Sequence, residues 1–322
     1  MTDMIVIAHD LGDSFERQIV ESLPNADIEV AIASDDEMLN GVLPQARVLV
    51  GIRFTERQIA QARRLEWIHS LSAGVERLPH ASLAGSGITV TNASGAHISP
   101  ISEHVLAFML CFARGLPEAF RQQRKKDWGW VQNDYFSPFL LEGATVTVIG
   151  LGNLGNAVAI KAHCLGMKVL GVRLRPSAYP VYIDDLGGPG RLKDFLPESD
   201  FVVNTLPLTK LTTQVIGDEE FQLMRPSAYF INVGRGRTVD QEALIEALNN
   251  GSIAGAGLDV TDPEPLPKDS ALWDMEQVLI TPHYSAQAPI VMDRVRQLFL
   301  ENLVRFYDGR PLANVVDISA GY

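Results

Sequence analysis

Three ionisable side chains in the second half of the chain each follow a short apolar run of the kind that forms a buried strand. Arg235 lies in "INVGRG" beside two glycines, Glu264 in the proline-pinned "LDVTDPEPLP", and His283 in "LITPHYSA". A fixed cation, a carboxylate and an imidazole that titrates near neutrality are groups that carbonyl reduction needs. Singly, each has an ordinary explanation: an isolated arginine is most often a surface charge, a loop glutamate is usually solvated, and a strand-end histidine is commonly a satisfied structural donor. Their joint occurrence after successive strands of one sheet favours a site, because parallel α/β sheets bind ligands at the carboxyl ends of their strands.

The elements that would position them are read from hydrophobic periodicity. Short β-branched runs alternate with helix-period segments, the pattern of parallel sheets covered on both faces. "MIVIA", "IEVAIA", "RVLVGI", "EWIHSL" and "ITVTN" predict a first series of strands, with helices such as "SFERQIVESL" and "TERQIAQAR" between them. A helical block from Ser99 to Asp127 follows, in which Pro100 suits a start and Pro117 is expected to kink or split the helix. The second series runs through "ATVTVIG", "KVLGVR", "DFVVNTL", "AYFINV", "GAGLDV" and "VLITP". A last helix, Pro289 to Tyr307, comes after the second sheet is complete and is expected to return to the first domain.

The second series opens with "TVTVIGLGNLG", in which Gly150 ends a strand, Gly152 allows a pyrophosphate to approach the backbone, and Gly155 allows the next helix to pack closely. A glycine pattern alone is weak. Here a strand precedes it, the helical "NAVAIKAHCLG" follows and a second strand closes the unit, so dinucleotide binding is expected.

Bulk properties narrow the field. At 322 residues and 46% hydrophobic the chain suits two α/β units, and its net charge of −12 argues against nucleic acid or an anionic membrane as partner. "MTDMIVIAHD" shows no export signal, and "VLAFMLCFA" is about half of the roughly 20 residues that a bilayer span requires. Cys111 and Cys164 are expected to be reduced structural thiols; His69, His97, His104 and His163 lack metal spacing and are also read as structural. No metal is expected, and the compartment is expected to be cytoplasmic. Trp128 and Trp130 in "DWGW" are read as packing residues.

Taken in order, "GLGNLG", "LPLT", "NVGRG", "LDVTDPEPLP" and "TPHYSA" resemble the motifs of the D-isomer-specific 2-hydroxyacid dehydrogenases, and "HSLSAGVERL" and "TNASGAHISPISEHVLAFML" look like that family's substrate loop and interdomain helix. The resemblance covers nearly the whole chain. It implies an α/β fold of two doubly wound parallel-sheet domains with an interdomain cleft. Residues 1–99 and 289–322 would form a discontinuous, flavodoxin-like substrate domain, and residues 100–288 a Rossmann dinucleotide-binding domain. A homodimer is implied as well.

Residue roles follow from the same resemblance. Arg235 resembles the arginine that holds a 2-oxo acid's carboxylate and polarises its keto oxygen, and His283 the acid–base residue, with Glu264 as its partner. An adjacent carboxylate raises an imidazole from about 6.5, each unit being worth about 1.36 kcal/mol. Ser72, Ala73 and Gly74 would join Arg235 and His283 around substrate, with backbone N–H groups near Ala73 and Gly74 on the carboxylate. Asp259 resembles the residue that contacts the nicotinamide carboxamide. Beyond the three glycines, the nucleotide set implied by the motifs contains Asn153, Leu154, Thr205, Leu206, Pro207 and Thr212. Val233, Gly234, Arg235, Asp259, His283 and Ser285 complete it.

The cofactor expectation turns on "VLGVRLRPS". Most family members that use NAD carry Asp where this chain has Arg173. A carboxylate there would repel a 2′-phosphate by on the order of 4 kcal/mol at about 4 Å and an effective dielectric of about 20. Arginine removes that repulsion and adds a charge-assisted bond of ~1.5 to 3 kcal/mol, roughly 10- to 100-fold in favour of NADPH. Arg175 and Ser177 would share the phosphate. The expected activity is reduction of small 2-oxo acids to D-2-hydroxy acids by hydride transfer from NADPH, with His283 as proton donor. The alternatives are an NADH-using glyoxylate or hydroxypyruvate reductase and a nucleotide-sensing protein of the same fold that recruits partners. An intact Arg235, Glu264 and His283 set disfavours the sensor, which needs no proton donor.

Overall fold

A strand whose two faces are both apolar can only be buried between layers of helix. The structure, a computed structural model, describes residues 2–12, 14–128, 138–176 and 180–321, so Ser177 and Trp130 lie outside the described residues. The chain divides into two compact units, Met1–His97 with Gln287–Tyr322, and Ile98–Ala286. Among the described residues no helix is long and apolar enough to cross a membrane.

The first unit holds strands β1 (Asp3–Ile7), β2 (Ile28–Ile32), β3 (Ala46–Gly51), β4 (Trp67–Ser70) and β5 (Thr89–Asn92), with helices α1 (Phe15–Ser22), α2 (Asp36–Val42), α3 (Glu56–Gln61) and α4 (His80–Leu83) between them. All pairs are parallel, in the order β2-β1-β3-β4-β5. Alternation sends Met4 and Val6 of β1 to one core and Ile5 and Ile7 to the other. The second of these cores is closed by the last helix, Pro289–Tyr307, whose Val291, Val295, Phe299 and Leu303 recur every four residues. Phe299 stacks on Trp67 at 5.5 Å between ring centroids.

The second unit begins with α5 (Ile98–Ala113) and α6 (Leu116–Lys125). Pro117 does not make the break between them. Gly115 does, at φ +64, while Pro117 stands in the first turn of α6, where a missing N–H goes unnoticed. Then follow β6 (Thr145–Ile149), α7 (Asn153–Cys164), β7 (Lys168–Val172), β8 (Asp185–Gly187), α8 (Leu192–Phe195), β9 (Phe201–Asn204), α9 (Asp218–Leu223), β10 (Tyr229–Asn232), α10 (Gln241–Asn249), β11 (Gly255–Leu258) and β12 (Val278–Ile280), which leaves the closing helix Pro289–Tyr307 as α11. The seven strands are parallel in the order β12-β11-β10-β9-β6-β7-β8. The order reverses at β6, which lies between β9 and β7, so loops after these strands meet at a topological switch point.

This sheet too is covered twice: Val146, Val148, Phe201 and Val203 face α5 and α7, and Ile149, Val202, Phe230 and Leu258 face the opposite core. Helix α5 seats closely because β11 offers a glycine beneath it, where a Cβ on Gly257 would lie 2.8 Å from the Phe108 ring. Two expectations need correction. Cys164 is exposed rather than packed, and the Trp128 side chain is 96% exposed.

Candidate active site

The glycine loop is held by sterics. Gly150 adopts φ +97, and a Cβ on Gly155 would stand 2.2 Å from Gly150 O, so the first turn of α7 lies directly on the end of β6. Thr205, after β9, donates its hydroxyl to Ile149 O at 3.0 Å and Gly150 O at 2.7 Å, tying the two loops. Gly152 precedes α7 in extended backbone, and a Cβ there would meet nothing within 4 Å. An open glycine ahead of Asn153 and Leu154 in the first turn of a twelve-residue helix fits a dinucleotide's pyrophosphate, which needs close backbone approach and helix N–H groups.

Arg173 follows β7, partly exposed, and its backbone N–H donates to Gly187 O of β8 at 3.0 Å. Arg175 is exposed. In the loop after β9, the Thr212 hydroxyl donates to Pro207 O at 2.7 Å and accepts Thr209 N–H at 2.8 Å, so Thr212 shapes the backbone of its own loop. Leu206 N–H donates to Asn204 Oδ1 at 3.1 Å. Val233 is buried, and Gly234 is packed so tightly that a Cβ would lie 2.7 Å from Leu206 O.

Arg235 sits on a buried polar scaffold that reading the sequence missed. Asn204 and Asn232 are register partners at the ends of β9 and β10. Asn204 Nδ2 donates to Asn232 Oδ1 at 2.9 Å and to Thr238 Oγ1 at 2.7 Å; Asn232 Oδ1 also accepts Gly234 N–H at 3.1 Å. Thr238 Oγ1 in turn donates to Arg235 O at 2.6 Å. The signal was present as two apolar runs each ending in Asn. The next residue, Gly236, touches the β11–β12 loop, since a Cβ would fall 1.9 Å from Thr261 O.

That loop carries Glu264. Its Oε1 accepts Thr261 N–H at 3.1 Å and its Oε2 accepts the His283 ring nitrogen Nδ1 at 2.7 Å. The hydrogen bond to Glu264 raises the His283 pKa above its ordinary value; burial opposes this, the Glu264 charge adds to it, Arg235 opposes and Asp259 assists. For Glu264, burial pushes upward, but the His283 bond and charge, the Thr261 N–H and the Arg235 charge together hold the carboxyl below its usual range. Both side chains are partly solvated, 45% and 34% exposed, so solvent screens the pair and its contribution to stability is small.

His283 itself has φ +51, unusual for a residue with a side chain. Asp259, 2% exposed, explains how it is held. Its carboxylate accepts Thr281 Oγ1 at 2.7 Å, Tyr284 N–H at 3.1 Å, Ser285 N–H at 3.2 Å and the Ser285 hydroxyl. Asp259, expected at the nicotinamide carboxamide, and Ser285, expected in the nucleotide set, are therefore bonded to each other. In the first unit, Ser72 O accepts Ala93 N–H at 3.1 Å and Ala73 O accepts Asn92 Nδ2 at 2.8 Å, which ties the Ser72–Gly74 turn to the end of β5. The second unit thus brings Arg235, Glu264 and Asp259 within electrostatic reach of His283.

Comparison with known proteins covers the same residues. Residues 106–285 match the family model of the D-isomer specific 2-hydroxyacid dehydrogenase, NAD binding domain. A glyoxylate reductase of Pyrococcus furiosus is 32% identical over 264 residues, 80% of this chain and 77% of that one. A D-3-phosphoglycerate dehydrogenase of Methanocaldococcus jannaschii is 31% identical over 91% of this chain, which spans 56% of that relative's length. The solved structure of a D-isomer specific 2-hydroxyacid dehydrogenase from Xanthobacter autotrophicus Py2, in complex with NADPH and MES, superposes with a TM-score of 0.83 at 31% identity and full coverage, 100% of both chains. With its two parallel sheets, its glycine loop and these likenesses, the chain belongs to the D-isomer specific 2-hydroxyacid dehydrogenase family.

Proposed function

We propose that the protein reduces small 2-oxo acids to D-2-hydroxy acids and prefers NADPH. The observation that carries this reading is the 2.7 Å bond between His283 Nδ1 and Glu264, set within the field of Arg235. When bound, the nicotinamide nucleotide supplies the hydride. Arg235 offers a planar fork of donors to the substrate carboxylate and polarises the keto oxygen. Glu264 occupies Nδ1 of the imidazole, which leaves Nε2 to hold the proton destined for that oxygen. Because the pKa of His283 is raised, the donor keeps its proton to higher pH than an ordinary imidazole; the reverse oxidation needs it empty and gains as pH rises.

The glyoxylate reductase relative supports the substrate class, and the NADPH-bound relative supports the nucleotide. Arg173 in place of an acidic residue supports the preference. Arg173→Asp is expected to swing the ratio of NADPH to NADH efficiency toward NADH by about 10-fold or more. An unchanged ratio would make that side chain a bystander. Glyoxylate, hydroxypyruvate, pyruvate and 2-oxopantoate, each followed by NADPH absorbance, test the activity, and tight nucleotide binding with no turnover of any acid would favour the nucleotide sensor instead. The reading includes a homodimer, supported by Leu116 and Phe120, exposed one turn apart on α6, and checked by light scattering.

A further inference from the structure

His104 lies on α5, far in sequence from the proton donor, yet its Nε2 is 3.0 Å from Thr281 Oγ1. The Thr281 hydroxyl has one proton. Asp259 Oδ1, 2.7 Å away, can only accept, so that proton goes to the carboxylate. A lone pair on the threonine is left to receive an N–H from His104. The same carboxylate collects the backbone N–H groups of Tyr284 and Ser285 and the Ser285 hydroxyl, while His283 N–H is held by Asp259 O and Thr281 O, both at 2.9 Å. These bonds enclose the left-handed backbone of His283, φ +51, a conformation that persists only where its surroundings impose it. The His104 ring is itself fixed edge-on, with Phe108 at 4.6 Å and Tyr284 at 5.4 Å between centroids.

We propose that His104 is a positioning residue for the proton donor: by donating to Thr281 it commits the threonine hydroxyl to Asp259 and so holds the 281–285 loop in the conformation that places His283 on Glu264. This rests on the reading of His283 as the proton donor. Among the described residues, the charged groups that act on His283 are Glu264, Arg235 and Asp259, and the one that acts on His104 is Asp259, at 3.9 Å. Burial drives His104 toward the neutral imidazole against the pull of Asp259. One ring proton remains, and the bond to Thr281 assigns it to Nε2.

Three variants test this: His104→Phe removes the donor and keeps an aromatic ring, Thr281→Val removes the hydroxyl, and His104→Gln keeps an N–H near the Nε2 position. The His283 ring is titrated by NMR in the nucleotide-free protein, and glyoxylate reduction by the full enzyme is followed against pH. His104→Phe and Thr281→Val are each expected to lower the His283 pKa by about half a unit or more. Both should reduce kcat by about tenfold through a misplaced donor, while NADPH affinity is retained. His104→Gln should restore most of both. A His283 titration unchanged in either donor-removing variant overturns the proposal. So does a glutamine variant as impaired as phenylalanine, which would leave only ring packing as the contribution of His104. His283→Asn serves as the control, because retained reduction in that variant would overturn the proton-donor reading itself, whereas the NMR titration judges His104 alone.

Discussion

Replacing Glu264 by glutamine keeps an acceptor on the His283 ring and removes the anion that holds it protonated. The imidazole pKa is then expected to fall, so the rate of 2-oxo acid reduction, lost as pH rises through that pKa, should begin its decline at lower pH. A drop in kcat of roughly 10²-fold at neutral pH accompanies the shift, and an unmoved alkaline limb in the pH profile would remove Glu264 from proton control. Arg235→Gln is expected to weaken carboxylate binding and transition-state contact by about 10- to 100-fold in kcat/KM, with nucleotide affinity nearly intact in a fluorescence titration. Wild-type kcat/KM would overturn the arginine's assignment. The sequence singles out these three side chains because each follows an apolar run that reads as a strand. Asn204 and Asn232 were not, since an asparagine at a strand end reads as a turn residue. Only the register that sets them side by side shows them to be the mount beneath Arg235.

At the scale of elements, two glycines of one loop separate packing from binding. Gly155→Val forces the side chain onto Gly150 O, 2.2 Å from where its Cβ would be, and is expected to destabilise the protein by about 1–3 kcal/mol in urea unfolding while nucleotide affinity is lost. Gly152→Ala meets nothing in the protein, so stability should change by no more than about 0.5 kcal/mol while affinity still falls. Equal stability losses in the two variants would contradict this division. Most strands are visible as β-branched runs, but β8 is not: its three residues are too few for a period to show, and acidic Asp184 and Asp185 interrupt the apolar pattern there. The Asp184 carboxylate in fact accepts Val169 N–H at 2.7 Å, so the acid belongs to the sheet. The α5–α6 break was anticipated at Pro117 and fell instead at Gly115, because left-handed backbone ends a helix where a first-turn proline does not.

For the molecule as a whole, a net charge of −12 means that anionic ligands are drawn in by local groups, among them Arg235, Arg173 and the start of α7 in the second unit. NADPH at about 100 times its Kd should add about 2.7 kcal/mol to whatever binds it. Hydrogen exchange with and without NADPH is expected to slow at Gly150–Gly155, and protection that avoids those residues would place the nucleotide elsewhere. The route of the chain has a further consequence. The rings of Phe15 and Trp67 are sealed by Phe299 of α11, which is numbered after every strand of the second unit. On a ribosome, where domains mature as units, the segment Ile98–Ala286 has all its parts while the opening residues still wait for their cover. The middle of this protein is ready to fold before its beginning.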